Sequence, residues 1–435
     1  MYKKLTVLLL TATMLCSLSG CFVKDLYDNY KTEAVTMVVT EETISRLEDF
    51  PNLQTADLSG STCYDAIELY ISNHPEVDVT YTIKVLDDFY PLDTTALDLS
   101  PMTASRLQET MEAMTRLPAL ESVNLVAADG SVQLSLAELQ TLTDTFPALT
   151  WQYSFDFYGQ TVDLYAERLE YVNVSMGDEA EEPLRQMLSV MPKLSYIKLD
   201  RCGFSSPVLD SINKDFPDTK VVWRVFYGKN NRFNALTDET VIRSSHYLSN
   251  TTVSEMKYLT EVRYMDIGHN ETLTDVSFLQ YMPELKLLIL AGSPVTDISP
   301  LAGHRNLEFL ELCFCSNLKD LSPISTMTGL KYLNIGGTNA NDITPVMERP
   351  LERFVCMLTN VPAAQKNAYE QAYPDCLIVK TGRQPFGYGW RYIDDGYTFN
   401  EYYLTMRQIF HYDEPALLNG YKWDEVTAND PDWDL

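Results

Sequence analysis

Five six-residue runs between Leu259 and Asn360 share one pattern and decide the fold: VRYMDI (262–267), LKLLIL (285–290), LEFLEL (307–312), LKYLNI (330–335) and LERFVC (351–356). Each run has apolar residues at its first, fourth and sixth positions, and successive runs start 23, 22, 23 and 21 residues apart. A fixed period of this length and spacing is typical of leucine-rich repeats, in which each repeat contributes one short strand. The pattern therefore predicts a solenoid of stacked repeats with a parallel sheet.

Two further positions keep step with these runs. Three residues beyond the last apolar position, where the repeat pattern has Asn or Cys, stand Asn270, Ser293, Cys315 and Thr338. A short acidic marker follows each of the first four runs: Asp275-Val276-Ser277, Asp297-Ile298-Ser299, Asp320-Leu321-Ser322 and Asp342-Ile343-Thr344. Chance is a poor explanation for so many features in register.

The regular repeats resemble the internalin-type leucine-rich repeats of bacterial surface proteins. The resemblance rests on the strand triplets and on Asp297–Leu301, which 275–279 and 320–324 echo, and it covers only residues 259–360. It implies an α/β leucine-rich-repeat solenoid, with a curved parallel sheet on the concave face and helices and 3₁₀ segments on the convex face. It also implies protein or glycan binding through the concave face. The chain departs from the family at the Asn position, where only Asn270 keeps Asn.

Weaker copies of the pattern precede the regular repeats. The triplets Leu53-Ala56-Leu58, Leu120-Val123-Leu125 and Leu194-Ile197-Leu199 have the same spacing. Between them, Pro75, Pro147 and Pro217 each introduce a strand of alternating apolar residues, at intervals of 72 and 70 residues. We therefore predict irregular modules of about 70 residues over 46–258. A separate α/β domain of unrelated βα units is the alternative.

The C-terminal part, residues 361–435, is rich in aromatic residues and predicts a last module and a cap. A helix is expected over 363–373, a strand over 376–379 and a second helix near 399–410. The last repeat of a solenoid has an apolar end that must be covered, which favours a cap. The alternative is carbohydrate stacking on exposed rings such as Trp390 and Trp423.

The N-terminal residues predict a targeting signal rather than a folded domain. Lys3-Lys4, an apolar run over 5–15 and small residues before Cys21 are typical of a secretory signal. Leu18-Ser19-Gly20-Cys21 also resembles the bacterial lipobox, which implies cleavage before Cys21 and acyl chains on its thiol. We expect a signal peptide at 1–20, a tether at 21–45 and a lipid-anchored protein that faces outside the cytoplasm. A plain signal peptide with a chance Cys is the alternative.

Composition and motifs argue against several function classes. The net charge of −28 repels nucleic acid and would complement a basic partner. The sequence has no His-Glu-x-x-His, no Gly-x-Ser-x-Gly, no phosphate loop and no metal-ligand spacing among its five histidines. We therefore expect no enzyme, cofactor or metal. The six cysteines other than Cys16 and Cys21 are expected to be mostly free thiols, with Cys313 the most exposed.

Residues between the buried strand positions give the best functional clue. They project from the opposite, concave face of the sheet. Apolar and aromatic residues with nearby carboxylates on an exposed face are typical of protein contacts. We predict binding of a protein or peptide through these concave-face residues: Tyr196, Tyr264, Asp266, Leu287, Phe309, Glu311, Tyr332 and Asn334. Cover by the cap or by a loop is the competing interpretation. Glycan binding is the alternative function, and an envelope hydrolase is less favoured.

Overall fold

The computed structural model describes residues 28–128, 130–394 and 397–413. They fall into two compact units. One unit comprises the residues up to Ala166 together with Gln186–Lys193, and the other comprises Glu167–Arg185 together with the residues from Leu194 onward. The expected signal peptide (1–20) and the expected lipidation site Cys21 lie outside the described residues. Within the described part of the chain, every helix is too short or too polar to cross a bilayer.

The first unit repeats one arrangement twice. Three parallel strands are followed by an antiparallel hairpin, and then the same order recurs. Its strands are β1 (Ala34–Thr36), β2 (Thr55–Asp57), β3 (Asp78–Thr80), the hairpin β4 (Thr82–Val85) and β5 (Asp88–Pro91), then β6 (Ala96–Asp98), β7 (Ser122–Asn124), β8 (Thr150–Gln152) and the hairpin β9 (Ser154–Phe157) and β10 (Gln160–Asp163). Its helices are α1 (Tyr64–Asn73), α2 (Leu107–Met114) and α3 (Leu136–Thr145).

Strand β1 lies inside the range predicted to be a tether. It pairs in parallel with β2, with Ala34 opposite Thr55, and the Thr55 amide donates to the Glu33 carbonyl at 3.0 Å. Val35 packs against the buried cluster of this unit. Part of the predicted tether is therefore a strand of the first unit, because one apolar side chain and a ladder of backbone hydrogen bonds are enough to add an edge strand.

Helix α4 (Glu181–Val190) contributes residues to both units. The second unit opens with a third copy of the same order: parallel strands β11 (Arg168–Val172), β12 (Tyr196–Asp200) and β13 (Lys220–Tyr227), with β14 (Phe233–Leu236) antiparallel to β13. Helix α5 (Ser206–Asp215) connects β12 to β13. Strands β3, β8 and β13 thus start at intervals close to the predicted module length.

The regular repeats form one sheet of seven parallel strands, which confirms the predicted leucine-rich-repeat solenoid. The strands are β15 (Val241–Arg243), β16 (Tyr264–Asp266), β17 (Leu287–Ile289), β18 (Phe309–Glu311), β19 (Tyr332–Asn334), β20 (Arg353–Val355) and β21 (Leu377–Val379). Helix α6 (Ala363–Ala372) precedes β21, and α7 (Glu401–Ile409) lies in the C-terminal part. Strand β15 extends the sheet before the predicted start at 259.

The acidic markers organise the segments that follow the strands. The amides of Ser277, Ser299, Ser322 and Thr344 donate to Oδ1 of the Asp two residues earlier, at 2.7–2.9 Å. A 3₁₀ segment starts at each of these residues: Ser277–Tyr281, Ser299–Leu301, Ser322–Thr326 and Thr344–Val346. The carboxylate satisfies an amide that the short helix leaves without a partner. The repeated Asp is therefore a cap for each 3₁₀ segment.

The Asn position of the repeats is buried and hydrogen bonded. Asn270 is fully buried; its Nδ2 donates to the carbonyls of Ser244 and Ile267 at 2.9 and 2.8 Å, and its Oδ1 accepts from the Leu248 amide at 2.8 Å. One side chain thus satisfies backbone groups of two successive repeats, which explains why the period needs a polar residue here.

We predict that Asn270→Ala lowers the free energy of unfolding by about 3 kcal/mol, because buried backbone groups lose their partner. Asn250 is the matched control. Its amide also makes three hydrogen bonds, to Thr274 and Asp275, but it is exposed. Water can replace those bonds, so Asn250→Ala should cost less than about 1 kcal/mol. Urea unfolding of both variants measures the difference, and equal losses would contradict the assigned role of Asn270.

Candidate functional site

The candidate site is one face of the seven-stranded sheet, which we call the row face. Strand pairing aligns the third and fifth residues of each repeat across it, with Tyr264 opposite Leu287 and Leu287 opposite Phe309. The third-position row is Val241, Tyr264, Leu287, Phe309, Tyr332, Arg353 and Leu377, and the fifth-position row is Arg243, Asp266, Ile289, Glu311, Asn334, Val355 and Val379. The predicted alignment of the repeats is therefore confirmed.

The prediction that this row is exposed is wrong. Leu287 and Phe309 are 0% exposed, Tyr264 is 4% exposed and Tyr332 is 5% exposed. They belong to one buried cluster with residues of the C-terminal segment, which we define as residues 385–413. The C-terminal segment covers the row face, so the competing interpretation, cover by the cap, describes the structure.

Aromatic rings provide most of the apolar contact between the two surfaces. The Phe309 ring centroid lies 4.7 Å from that of Trp390 and 5.9 Å from that of Tyr402, and Tyr332 lies 4.9 Å from Tyr402. Met406, from the same side of α7, is fully buried. Offset and tilted ring pairs at these distances add to the free energy gained by area burial.

Glu311 anchors the N-terminal part of the segment. Its side chain is 1% exposed, Oε2 accepts from Trp390 Nε1 at 2.9 Å, and Oε1 lies 3.6 Å from a guanidinium nitrogen of Arg391. The Cys313 thiol lies 3.2 Å from Oε1 as well. A buried carboxylate needs such donors, because burying an unpaired charge is very costly. Cys313 is itself 2% exposed, so the prediction that it is the most exposed thiol is wrong.

Asp266 anchors the end of the segment. Its Oδ2 accepts from the Tyr412 hydroxyl at 2.7 Å and its Oδ1 accepts from the Gly268 amide at 3.1 Å. Burial raises the pKa of Asp266, although both hydrogen bonds oppose that shift. Burial and the nearby carboxylate also raise the pKa of Tyr412, which keeps its hydroxyl protonated as the donor.

Arg243 and Asn334 bind main-chain carbonyls of the segment. Arg243 Nη1 donates to the carbonyls of Phe410 and His411 at 2.9 Å each, and its guanidinium lies 4.7 Å from the Tyr412 ring centroid. Asn334 Nδ2 donates to the Pro385 carbonyl at 2.9 Å. Next to Asn334, a Cβ on Gly336 would overlap Pro385, so the segment enters against a glycine.

The sequence prediction missed Arg243 because β15 was not recognised. The two outer positions of its triplet are occupied by Glu239 and Ser244, which are polar although buried. The available signal was the period: Arg243 precedes Asp266 by 23 residues, as Asp266 precedes Ile289.

Tyr196 does not join this face. It lies on β12, in the four-stranded sheet. Its half-buried ring has the guanidinium carbon of Arg168 3.6 Å from its centroid, and its hydroxyl donates to Asp238 at 3.1 Å. The antiparallel strand β14 ends that sheet, so the row does not continue across it. Its inclusion with the row residues is wrong.

The alternative interpretation of the C-terminal part, carbohydrate stacking on exposed rings, does not apply to Trp390. Trp390 is 1% exposed, so its faces are not open to a sugar. Trp423 lies outside the described residues. Tyr388 and Tyr397 are exposed at 54% and 67%.

Over the described ranges, no cluster of three or more His, Cys, Asp or Glu side chains could hold a metal ion, and the six cysteines found there are free thiols.

Comparison with known proteins gives a weak likeness. No family model and no curated protein matches the chain. Among solved structures, the chain is similar to the internalin InlF of Listeria monocytogenes at 15% identity and a TM-score of 0.28, over 83% of this chain and 85% of that one. A leucine-rich-repeat protein of Leptospira interrogans matches at 13% identity and a TM-score of 0.26, over 82% of this chain and 97% of that one. The functional domain of InlJ from Listeria monocytogenes matches at 14% identity and a TM-score of 0.27, over 72% of this chain and 65% of that one. Values this low carry no information about a partner.

We predict that Asp266→Asn flattens part of the pH dependence of stability. Because the folded pKa of Asp266 is raised, its contribution is fully present below the ordinary carboxyl value of 3.8 and is lost as pH rises through the raised pKa. Asn cannot ionise, so the variant should lack this loss and gain stability relative to the wild type as pH increases.

Urea unfolding of the wild type and Asp266→Asn across a pH series measures this effect. The exposed carboxylate Asp218 supplies the control, since it does not belong to the row face and the same Asp→Asn change can be made there. A constant difference between the wild type and Asp266→Asn at every pH would contradict the assignment.

Proposed function

We propose that this protein is a lipid-anchored surface protein that binds a polypeptide partner on its row face, in place of its own C-terminal segment. One observation carries the proposal: the face already holds a polypeptide, through carboxylates that accept from Trp390 and Tyr412 and through Arg243, which donates to main-chain carbonyls. A partner that replaces the segment meets the same groups. The anchor is expected at Cys21, from its resemblance to a lipobox.

The charged residues beneath the segment support a reversible contact between the segment and the row face. Arg243, Asp266 and Glu311 are all buried there. Burying charge costs free energy that apolar side chains of similar size do not cost, and permanent interfaces are accordingly more apolar. In the open state water solvates these groups, so opening is less unfavourable than exposing a purely apolar face.

The chain also has an exposed connection where the segment can separate from the repeats, and the repeats have a hydrophobic core that does not include the segment. Residues 381–384, between β21 and the segment, are exposed. The opposite face of the sheet has its own buried side chains, and Met265, Leu288, Leu310 and Leu333 are 0% exposed. The stacked repeats therefore keep a hydrophobic core when the segment leaves.

The test uses the full chain with Trp390→Ala and a labelled synthetic peptide of residues 385–413. Loss of a buried Trp weakens the segment's own contact by about 3–5 kcal/mol. Competition by that segment falls accordingly, so the peptide should bind the variant at least about a hundredfold more tightly than it binds the wild type.

Tyr388→Ala is the matched control, since this ring belongs to the same segment but is 54% exposed. It should bind the peptide as weakly as the wild type does. A Trp390→Ala chain with native circular dichroism that does not bind the peptide would contradict the proposed function.

A further inference from the structure

The contacts of the C-terminal segment also specify the chemistry of the partner. Helix α7 places Tyr402, Met406 and Ile409 on one side, and each is buried against the row face. Their spacing of four and three residues is that of an amphipathic helix lying on an apolar surface. This corresponds to the helix-in-groove mode of peptide recognition.

The direction of the helix is fixed by charge. Arg243 donates to the carbonyls of Phe410 and His411, just beyond the last turn of α7. The C-terminal end of a helix carries unsatisfied carbonyls and partial negative charge, so a buried cation is favourable there. A helix lying the other way would bring amide N–H groups to Arg243, and two donors would face each other.

Two carboxylates of the row face require donors from any occupant. Glu311 accepts from the Trp390 indole and Asp266 accepts from the Tyr412 hydroxyl. An occupant without hydrogen-bond donors at these points would leave buried carboxylates without those partners, which costs far more than the bond itself contributes. Arg391 adds a positive charge close to Glu311, so a basic residue also fits.

We infer that the partner, under the proposed function on which this inference rests, is a polypeptide with a two-turn amphipathic helix and aromatic donors at both ends. An indole or equivalent N–H donor precedes the helix and meets Glu311. A phenol follows the helix and meets Asp266, and the helix carbonyls end at Arg243. The C-terminal segment is then an internal copy of that ligand, and the partner competes with it.

The test compares labelled peptides of residues 385–413 on the full-length Trp390→Ala chain. In one peptide Trp390→Phe removes the indole donor but keeps a ring, and in another Tyr412→Phe removes only the hydroxyl. Each change should weaken binding about tenfold or more, because a hydrogen bond to a buried carboxylate is lost.

Tyr388→Phe in the peptide is the matched control, since it also removes one hydroxyl but at an exposed ring. It should bind within about twofold of the unmodified peptide. The inference is overturned if the Trp390→Phe and Tyr412→Phe peptides bind as tightly as the control. Failure of every peptide to bind would overturn the proposed function as well, so the two failures are distinguishable.

Discussion

In-register parallel pairing of the strands β15–β21 is the constraint on which the second unit depends. Because Tyr264, Leu287, Phe309 and Tyr332 are aligned by that pairing, one face of the sheet collects a continuous apolar row. The alternate residues Met265, Leu288, Leu310 and Leu333 collect on the other face. A sheet with two apolar faces needs cover on both, and the 3₁₀ segments of the repeats lie on only one. The C-terminal segment supplies the other cover.

The chemistry of that second cover distinguishes it from an ordinary hydrophobic cap. A cap needs only apolar residues on its inner side. Here the inner side carries donors for two carboxylates, and the face carries a cation that binds carbonyls at a helix end. Each of these groups is costly to bury and specific in geometry, so the contact resembles recognition of a ligand more than closure of a core.

The sequence was sufficient for the repeats but not for what covers them. Apolar triplets and their period predict the strands and their alignment, since these depend on local spacing, and the helix expected near 399–410 in the aromatic C-terminal part corresponds to α7. Strand β15 was missed because Glu239 and Ser244 occupy positions that the pattern expects to be apolar. Composition does not decide whether the row is covered or binds a ligand, because an aromatic tail that packs on a face and one that binds a ligand have the same composition. Which surface a distant segment reaches depends on tertiary contacts that periodicity does not encode.

Two neighbouring cysteines report directly whether the segment uncovers the row face while the repeats stay folded. Cys313 lies beneath the segment and Cys315 lies in the core of the repeats, and both are buried. The measurement is thiol labelling of the native full-length chain, with each site quantified by mass spectrometry. Cys313 should react much faster than Cys315 without denaturant, and an excess of the 385–413 peptide should slow the reaction of Cys313 alone. Equal labelling rates at the two sites would mean that the segment leaves only when the repeats unfold, and would contradict binding of a partner on the row face of the folded repeats.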